Sequence, residues 1–178
     1  VIAVNGSGRA PAAASAAALR DKGHETVPVA GPEAVTIPGA IDAFCTMSEK
    51  WGKIGIADSL APAIHYMDEG LPVAPRVAFD WENDKERLQG HALQHFRLNG
   101  GIPKQGEIFR APGQAEVLRR VAASGRAGFY EGEVAEDMVT ALRAAGGVHT
   151  LEDFAASQTT IHDPISSTYK GRELCEHP

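Results

Sequence analysis

Glycine and proline divide this sequence into a series of short helical segments, and this punctuation is the strongest constraint on its fold. The 178 residues include 19 glycines and 11 prolines. Glycine ends helices readily because it adopts a left-handed backbone, and proline removes a backbone donor. The chain is therefore expected to be mostly helical. Helix-prone composition and apolar periodicity predict helical segments within residues 12–22, 40–52, 58–70, 74–98, 115–124 and 134–145.

Residue spacing within these helices gives three further expectations. Ile41, Phe44 and Ser48 share one face of the second helix. Asp58 stands where it can cap the start of the third helix. Residues 74–98 carry many charges on a helical period, which predicts one long and exposed helical stretch.

The two ends of the chain have an extended pattern. Residues 1–5 predict a short strand, and residues 159–176 contain several short apolar runs of the same kind. Before the second of these regions, Thr150 and Asp153 fit a capping box, in which the threonine hydroxyl accepts a hydrogen bond from the Asp153 amide. Together these patterns predict an α+β fold, mostly helical with strands at both ends.

Composition argues against several classes of function. The formal net charge is −6 and the pI is about 5.6, whereas proteins that bind nucleic acid normally present a basic face. No run approaches the 18 or so apolar residues of a membrane span. Cys45 and Cys175 form neither a spaced zinc pair nor a disulfide framework, so we interpret them as reduced thiols that leave the compartment undecided. The sequence therefore predicts no nucleic-acid partner and no membrane span.

The chain opens with a strand, a glycine turn and a helix, in the order of a dinucleotide-binding unit. Gly6-Ser7-Gly8-Arg9-Ala10-Pro11 supplies two glycines of that fingerprint, so a nucleotide-binding module on residues 1–35 is an alternative. Pro11 stands where a third small residue belongs, and it has no amide to donate to a pyrophosphate. The helices that follow do not alternate with strands, so this is the minor alternative.

No complete active site is visible from residue types alone. His91 and His95 lie four residues apart, but His-Ala-Leu-Gln-His lacks the glutamate that zinc hydrolases place after the first histidine. We interpret both histidines as exposed or locally paired. No serine, cysteine or threonine lies in a nucleophile elbow, and Val1 offers no side-chain nucleophile. The sequence predicts no catalytic residue and no metal ligand in this chain.

Several short motifs occur in one order over nearly the whole chain. They are Val35-x-x-Pro38-Gly39-Ala40, Leu60-Ala61-Pro62-Ala63-Ile64, Glu69-Gly70-Leu71-Pro72-Val73, Gly101-x-Pro103-x-x-Gly106-Glu107, Phe129-Tyr130-x-Gly132, Gly146-Gly147-x-x-Thr150-x-Glu152-Asp153-Phe154-Ala155, and Pro164 with Tyr169-x-Gly171. Together they resemble the gamma-glutamyltranspeptidase family. Most of these residues are scaffold, since glycines allow turns and close packing and aromatic rings anchor a core.

The resemblance implies a fold and an activity. Members of the family are precursors that cleave themselves into a large and a small subunit, with the four-layer αββα sandwich of N-terminal-nucleophile hydrolases. A threonine freed at the start of the small subunit attacks an amide carbonyl, with its own α-amino group as base, and no cofactor is required. We therefore expect residues 1–178 to be an internal part of the large subunit, cut at both ends, whose partner is the small-subunit segment of the same precursor.

One substrate contact of the family falls within this chain. The transpeptidases bind the substrate's α-carboxylate with an arginine placed before an Ala-Pro pair, and a guanidinium fork suits a carboxylate. Ala10-Pro11 is the matching pair here, but Ser7 occupies the usual arginine position and Gly8 that of the following glutamate. The resemblance therefore implies Arg9 and Ser7 as substrate-binding residues. Either Arg9 binds the carboxylate of a small acidic amide from a shifted turn, or the protein is a non-glutamyl amidase of the same superfamily.

Overall fold

The computed structural model describes all residues from 1 to 178, and the chain divides into two compact units. The first is formed by Val1–Ile56 together with Arg120–Pro178, and the second by Ala57–Arg119. The helices are short, as the glycine and proline breaks predict, and none is long and apolar enough to cross a membrane. They are α1 (Ala16–Asp21), α2 (Ala40–Trp51), α3 (Gly55–Glu69), α4 (Pro75–Asp84), α5 (Ala92–His95), α6 (Pro112–Ser124), α7 (Ala127–Tyr130), α8 (Gly132–Ala144) and α9 (Leu151–Ala155).

The strands form three separate two-stranded antiparallel ladders, and the predicted α+β class is confirmed. The first ladder joins the two ends of the chain, because β1 pairs with β4 and Val4 lies opposite Ile161. In the hairpin of β5 and β6, Ser167 lies opposite Leu174. The strands are β1 (Ala3–Asn5), β2 (Leu71–Pro72), β3 (Ile108–Phe109), β4 (Thr160–His162), β5 (Ile165–Tyr169) and β6 (Arg172–Glu176).

The core of the first unit is built mainly by α7, α8 and α9. Ala135 and Val139 of α8 lie four residues apart on one helical face and are both buried. Tyr130 of α7 and Phe154 of α9 pack into the same cluster, together with Ile37 from the segment before α2. All five side chains are less than 10% exposed, so this cluster supplies much of the hydrophobic stabilisation of the unit.

The start of α9 carries the predicted capping box. The Thr150 hydroxyl accepts a hydrogen bond from the Asp153 amide at 3.2 Å, and the Asp153 carboxylate accepts one from the Thr150 amide at 2.9 Å. The preceding residue, His149, is buried, and its Nε2 donates to the Val35 carbonyl oxygen at 2.8 Å. The helix start is therefore fixed to the segment that precedes α2.

In the second unit, Trp81 of α4 packs against two other aromatic rings. Its ring meets Phe109 edge-on, with centroids 4.9 Å apart, and it meets Phe96 in the same way at 6.3 Å. Edge-to-face pairs of this kind are favoured by the charge distribution of aromatic rings. Trp81 therefore links α4 to β3 and to the end of α5.

The helix α2 turns a different face inward from the one its apolar residues suggest. Asp42, Ala43 and Cys45 are buried, whereas Phe44 is 49% exposed. The Asp42 carboxylate pairs with Arg126 on the inner side of the helix, as described below. Phe44 therefore lies outside the packing face, whereas Ile41 packs in part against the core.

Two helix expectations are wrong in detail. The helix α3 begins at Gly55, so Asp58 lies in its first turn and does not cap it. Residues 74–98 are not one helix, because α4 ends at Asp84 and α5 has only four residues. Gly90, with a φ of 52°, lies in the break, and this left-handed backbone cannot continue an α-helix.

Replacing Tyr130 by phenylalanine tests how much the hydrogen bonds of its hydroxyl stabilise the core. Its hydroxyl donates to the Pro38 carbonyl oxygen at 2.6 Å and accepts from the Asp42 amide at 3.2 Å. Tyr130→Phe should lower the free energy of unfolding by about 1–3 kcal/mol, measured by urea titration, because buried partners lose their hydrogen bonds. Tyr169→Phe is the control, since Tyr169 is 71% exposed. Equal stability of the two variants would contradict this role for Tyr130.

Candidate functional site

The residues that the sequence assigns to substrate binding lie in a turn that follows β1, here called the glycine loop (residues 5–12). Backbone hydrogen bonds hold this loop at three points. The Asn5 side chain accepts from the Ser7 amide at 2.8 Å, and the Ile37 amide donates to the Arg9 carbonyl oxygen at 2.9 Å. The Ala12 amide donates to the Asp153 carboxylate at 2.9 Å. The main chain of the loop is therefore fixed to the core of the first unit.

The glycine loop passes so close to the segment before α2 that side chains are excluded at two positions. A Cβ on Gly8 would overlap the Ile37 carbonyl oxygen, and a Cβ on Gly39 would overlap the Gly6 carbonyl oxygen. Glycine is needed where two backbones approach in this way. This backbone therefore has no room for a side chain at position 8.

Arg9 and Ser7 both lie on the exposed side of the loop. The Arg9 guanidinium forms no ion pair or hydrogen bond within the chain, although its main-chain carbonyl is held by Ile37. The Ser7 amide is used by Asn5, whereas the Ser7 hydroxyl has no partner in the chain. The loop thus presents a free cation and a free hydroxyl, two residues apart in sequence, on a fixed backbone, which is suited chemically to binding an anion.

A partly buried ion pair, here called the clamp (Asp42 and Arg126), joins elements that lie far apart in the sequence. The Asp42 side chain is 8% exposed and the Arg126 side chain is 27% exposed. Arg126 Nε donates to Asp42 Oδ1 at 2.7 Å, and Arg126 Nη2 donates to the carbonyl oxygens of Ala155 and Ser157, both at 2.6 Å. The second carboxylate oxygen, Oδ2, accepts from the Thr159 amide at 2.6 Å. Both charges are therefore paired and further satisfied by hydrogen bonds, as burial requires.

Tyr130 contacts both the clamp and the segment before α2. The Arg126 guanidinium carbon lies 4.8 Å from the centre of the Tyr130 ring, a cation–π contact. Burial raises the pKa of the Tyr130 phenol, so its hydroxyl stays protonated and donates to the Pro38 carbonyl oxygen. The clamp with Tyr130 thus joins α2, α7 and the segment that leads into β4. Because β4 pairs with β1, the same interaction fixes the strand from which the glycine loop emerges.

Local sequence patterns did not predict the clamp. Arg126 follows Gly125, where it resembles an ordinary surface residue after a helix, and Asp42 resembles an exposed residue in the first turn of α2. The two residues are 84 positions apart, and no local pattern relates them. An apolar neighbour on each side of Asp42 is the only local hint that it lies in a buried stretch.

The other candidates from the sequence are not drawn together into a site. His91 and His95 are both exposed at the two ends of α5. Within residues 1–178, no group of three or more His, Cys, Asp or Glu side chains is arranged to hold a metal ion. The nucleotide-binding alternative does not fit the geometry, because β1 pairs antiparallel with β4 and the fingerprint needs a parallel sheet.

Replacing Arg126 by methionine tests the clamp. The variant leaves the Asp42 carboxylate buried without its counter-ion, which should lower the free energy of unfolding by about 3–5 kcal/mol in a urea titration. Arg76→Met is the matched control, because it breaks an exposed Arg76–Asp80 pair and should cost less than about 1 kcal/mol. A loss at Arg126 no larger than that at Arg76 would contradict the clamp.

Acid unfolding tests the anchor of the glycine loop at Asp153. Burial acts to raise the pKa of its carboxyl, but hydrogen bonds from the Ala12 and Thr150 amides outweigh burial and hold that pKa below the ordinary value of 3.8. The stabilisation is therefore complete above about pH 4 and is lost as the pH falls through the lowered pKa. Asp153→Asn should flatten the pH dependence of stability below pH 4, whereas the exposed Asp21→Asn should not. Identical acid limbs for wild type and Asp153→Asn would refute the anchor.

Comparison with known proteins places this structure in a family. The family model described as Gamma-glutamyltranspeptidase matches residues 1–178. A glutathione hydrolase-like YwrD proenzyme of Bacillus subtilis (strain 168) is 32% identical over 179 residues, covering 98% of this chain and 33% of the relative. An oxamate amidohydrolase proenzyme of Klebsiella pneumoniae is 30% identical, covering 93% and 32%.

Solved structures share this fold. Gamma-glutamyltranspeptidase of Helicobacter pylori has the same fold, with a TM-score of 0.93 at 23% identity, covering 99% of this chain and 52% of that chain. A cephalosporin acylase from Bacillus halodurans has a TM-score of 0.90 at 36% identity, covering 98% and 34%. The chain thus spans about a third of the length of the curated relatives it matches. On the match over its whole length, the chain belongs to the gamma-glutamyltranspeptidase family.

Proposed function

We propose that the protein is an amidohydrolase or acyltransferase that cleaves a small acidic amide through an acyl-enzyme. The observation that carries this proposal is the family match over residues 1–178. Relatives named as glutathione hydrolase, acylase and oxamate amidohydrolase proenzymes support the same class of chemistry. Their shared designation as proenzymes also supports maturation by cleavage of a precursor.

The nucleophile in this proposal is the hydroxyl of an N-terminal threonine in another segment of the same precursor. Its α-amino group takes the hydroxyl proton while the oxygen attacks the amide carbonyl. The amine then leaves with a proton, and an ester to the threonine remains. Water or a second amine attacks this ester and releases the acyl group. The role of residues 1–178 is to hold the substrate's acidic end and to support the fold around it.

Arg9 is the group that we assign to the acidic end of the substrate. Its side chain is exposed and unpaired, whereas its main chain is fixed by the hydrogen bond from Ile37. A fixed backbone reduces the entropy lost when a side chain engages a ligand. A guanidinium also offers two parallel N–H donors to one carboxylate. The neighbouring Ser7 hydroxyl is placed in the same loop as a second donor.

Gly8 favours acyl groups other than glutamyl. The family's glutamate, which would follow the arginine, has no counterpart, since a Cβ on Gly8 overlaps the Ile37 carbonyl oxygen. The glycine loop therefore offers a cation for a carboxylate but no carboxylate for a substrate ammonium group. The relatives named oxamate amidohydrolase and cephalosporin acylase are consistent with this second reading, a non-glutamyl amidase.

The small-subunit segment of the precursor is the partner that we propose for the exposed apolar surfaces of the first unit. Phe44 and Trp51 of α2 are 49% and 50% exposed, and Ile165 and Leu174 of the β5–β6 hairpin are 56% and 62% exposed. Apolar side chains grouped in this way mark surfaces that other protein segments cover. The unpaired edges of the hairpin also offer backbone groups to a further strand.

Replacing Arg9 by alanine tests its assignment. The change should raise KM for glutaryl anilide about 10- to 100-fold, because a charge-assisted pair of hydrogen bonds is lost. The KM for butyryl anilide, which lacks the carboxylate, should not change. Arg20→Ala removes an exposed arginine from α1 and is the matched control. An unchanged KM for glutaryl anilide in Arg9→Ala would dismiss this role.

Kinetics of the wild-type protein test whether it is a non-glutamyl amidase. If Gly8 removes the ammonium site, kcat/KM for glutaryl anilide should equal or exceed that for γ-glutamyl anilide, which differs only by the α-amino group. A strong preference for the γ-glutamyl substrate would favour a transpeptidase-like specificity instead. Absence of hydrolysis of all three anilides would count against the proposed reaction itself.

A further inference from the structure

The second unit contains a surface cavity that plays no part in the proposed reaction. Its walls are residues 94–98, at the end of α5 and beyond, and residues 108–114, from β3 into α6. Its volume is about 520 Å³, within the range of about 300–1,000 Å³ that is typical of small-molecule sites. The cavity is therefore large enough for an organic ligand.

The charges around this cavity are of one sign. Arg97 and Arg110 line it together with His95, and no aspartate or glutamate does. Neither guanidinium forms an ion pair or hydrogen bond within residues 1–178. The chain as a whole has more acidic than basic residues, 23 against 17. Two unpaired arginines without a nearby carboxylate favour an anionic ligand.

The cavity also has an aromatic wall whose position is fixed. Phe96 and Phe109 both line it, and Phe96 is 41% exposed. The Trp81 ring packs edge-on against both rings, with centroids 6.3 Å and 4.9 Å away. A ligand ring that packs on this wall would meet side chains already held in place, which lowers the entropy lost on binding.

The aliphatic part of the Arg110 side chain is packed at the edge of this aromatic wall. Phe109 lies opposite Leu71 in the β2–β3 ladder, which fixes the residue that follows it. A Cβ on Gly70 would come within 3.1 Å of the Arg110 Cγ, so the arginine stem lies against bare backbone there. Gly70 has a φ of 97°, a conformation that glycine adopts without strain. The stem is thus packed while the charged end stays exposed.

We propose that this cavity binds a small aromatic oxyanion, with the ring against Phe96 and Phe109 and the oxyanion held by Arg97 and Arg110. A guanidinium fork fits both a carboxylate and a phosphate, so the shared chemistry is a ring that carries one of these groups. The proposal rests on residues of the second unit alone and is independent of the reaction assigned to the glycine loop.

Calorimetric titration of the full-length protein tests the proposal. The probes are 2-naphthoate and 2-naphthyl phosphate, which separate carboxylate from phosphate, and 2-naphthalenemethanol, which carries the ring without charge. We expect at least one anion to bind, with a Kd raised about tenfold or more in the double variant R97Q/R110Q. The matched control is R76Q/R87Q, which removes two exposed arginines that do not line the cavity and should change Kd less than about twofold.

The location of binding is read from the indole N–H signals of Trp81 and Trp51. The Trp81 signal should shift with saturation as the anion is added, and the Trp51 signal should not. The proposal is overturned if neither anion binds, or if the neutral alcohol binds as tightly as the anions. It is also overturned if R97Q/R110Q binds like the wild type, or if R76Q/R87Q loses as much affinity as the cavity variant.

Discussion

The ion pair between Asp42 and Arg126 is the interaction on which the first unit depends. An isolated charge in this position would be strongly unfavourable, but each group has further partners in the backbone around it. The pair joins α2 to the segment between α9 and β4, although these parts are far apart in sequence. Since β4 pairs with β1, the ion pair also helps to fix the strand from which the glycine loop emerges.

The second constraint is the crowding of backbone around the glycine loop. Gly8 and Gly39 lie where two stretches of main chain touch, and neither position has room for a side chain. The loop can therefore offer side chains to a ligand only from its other residues. Arg9 and Ser7 are exposed, and their side chains have no partner within residues 1–178. In the proposed substrate site, specificity therefore rests on these two side chains.

Local signals in the sequence predicted much of the fold but little of the tertiary structure around the site. Helix breaks, the capping box at Thr150 and the strands at both ends were predictable because each depends on residues a few positions apart. The buried face of α2 was not, because a partner 84 residues away turns Asp42 inward. The exclusion of a side chain at Gly8 likewise depends on Ile37, which only the folded chain brings near. The break within residues 74–98 shows that charge periodicity alone does not ensure a continuous helix.

The central claim is that these residues belong to a precursor that cleaves itself and then uses the freed threonine to cleave amides. Intact-mass spectrometry of the full-length protein, before and after addition of an acylated anilide, tests this claim most directly. The account predicts two chains, the second beginning with threonine, and a transient increase in the mass of that second chain by one acyl group. A single uncleaved chain that gains no acyl group would contradict it.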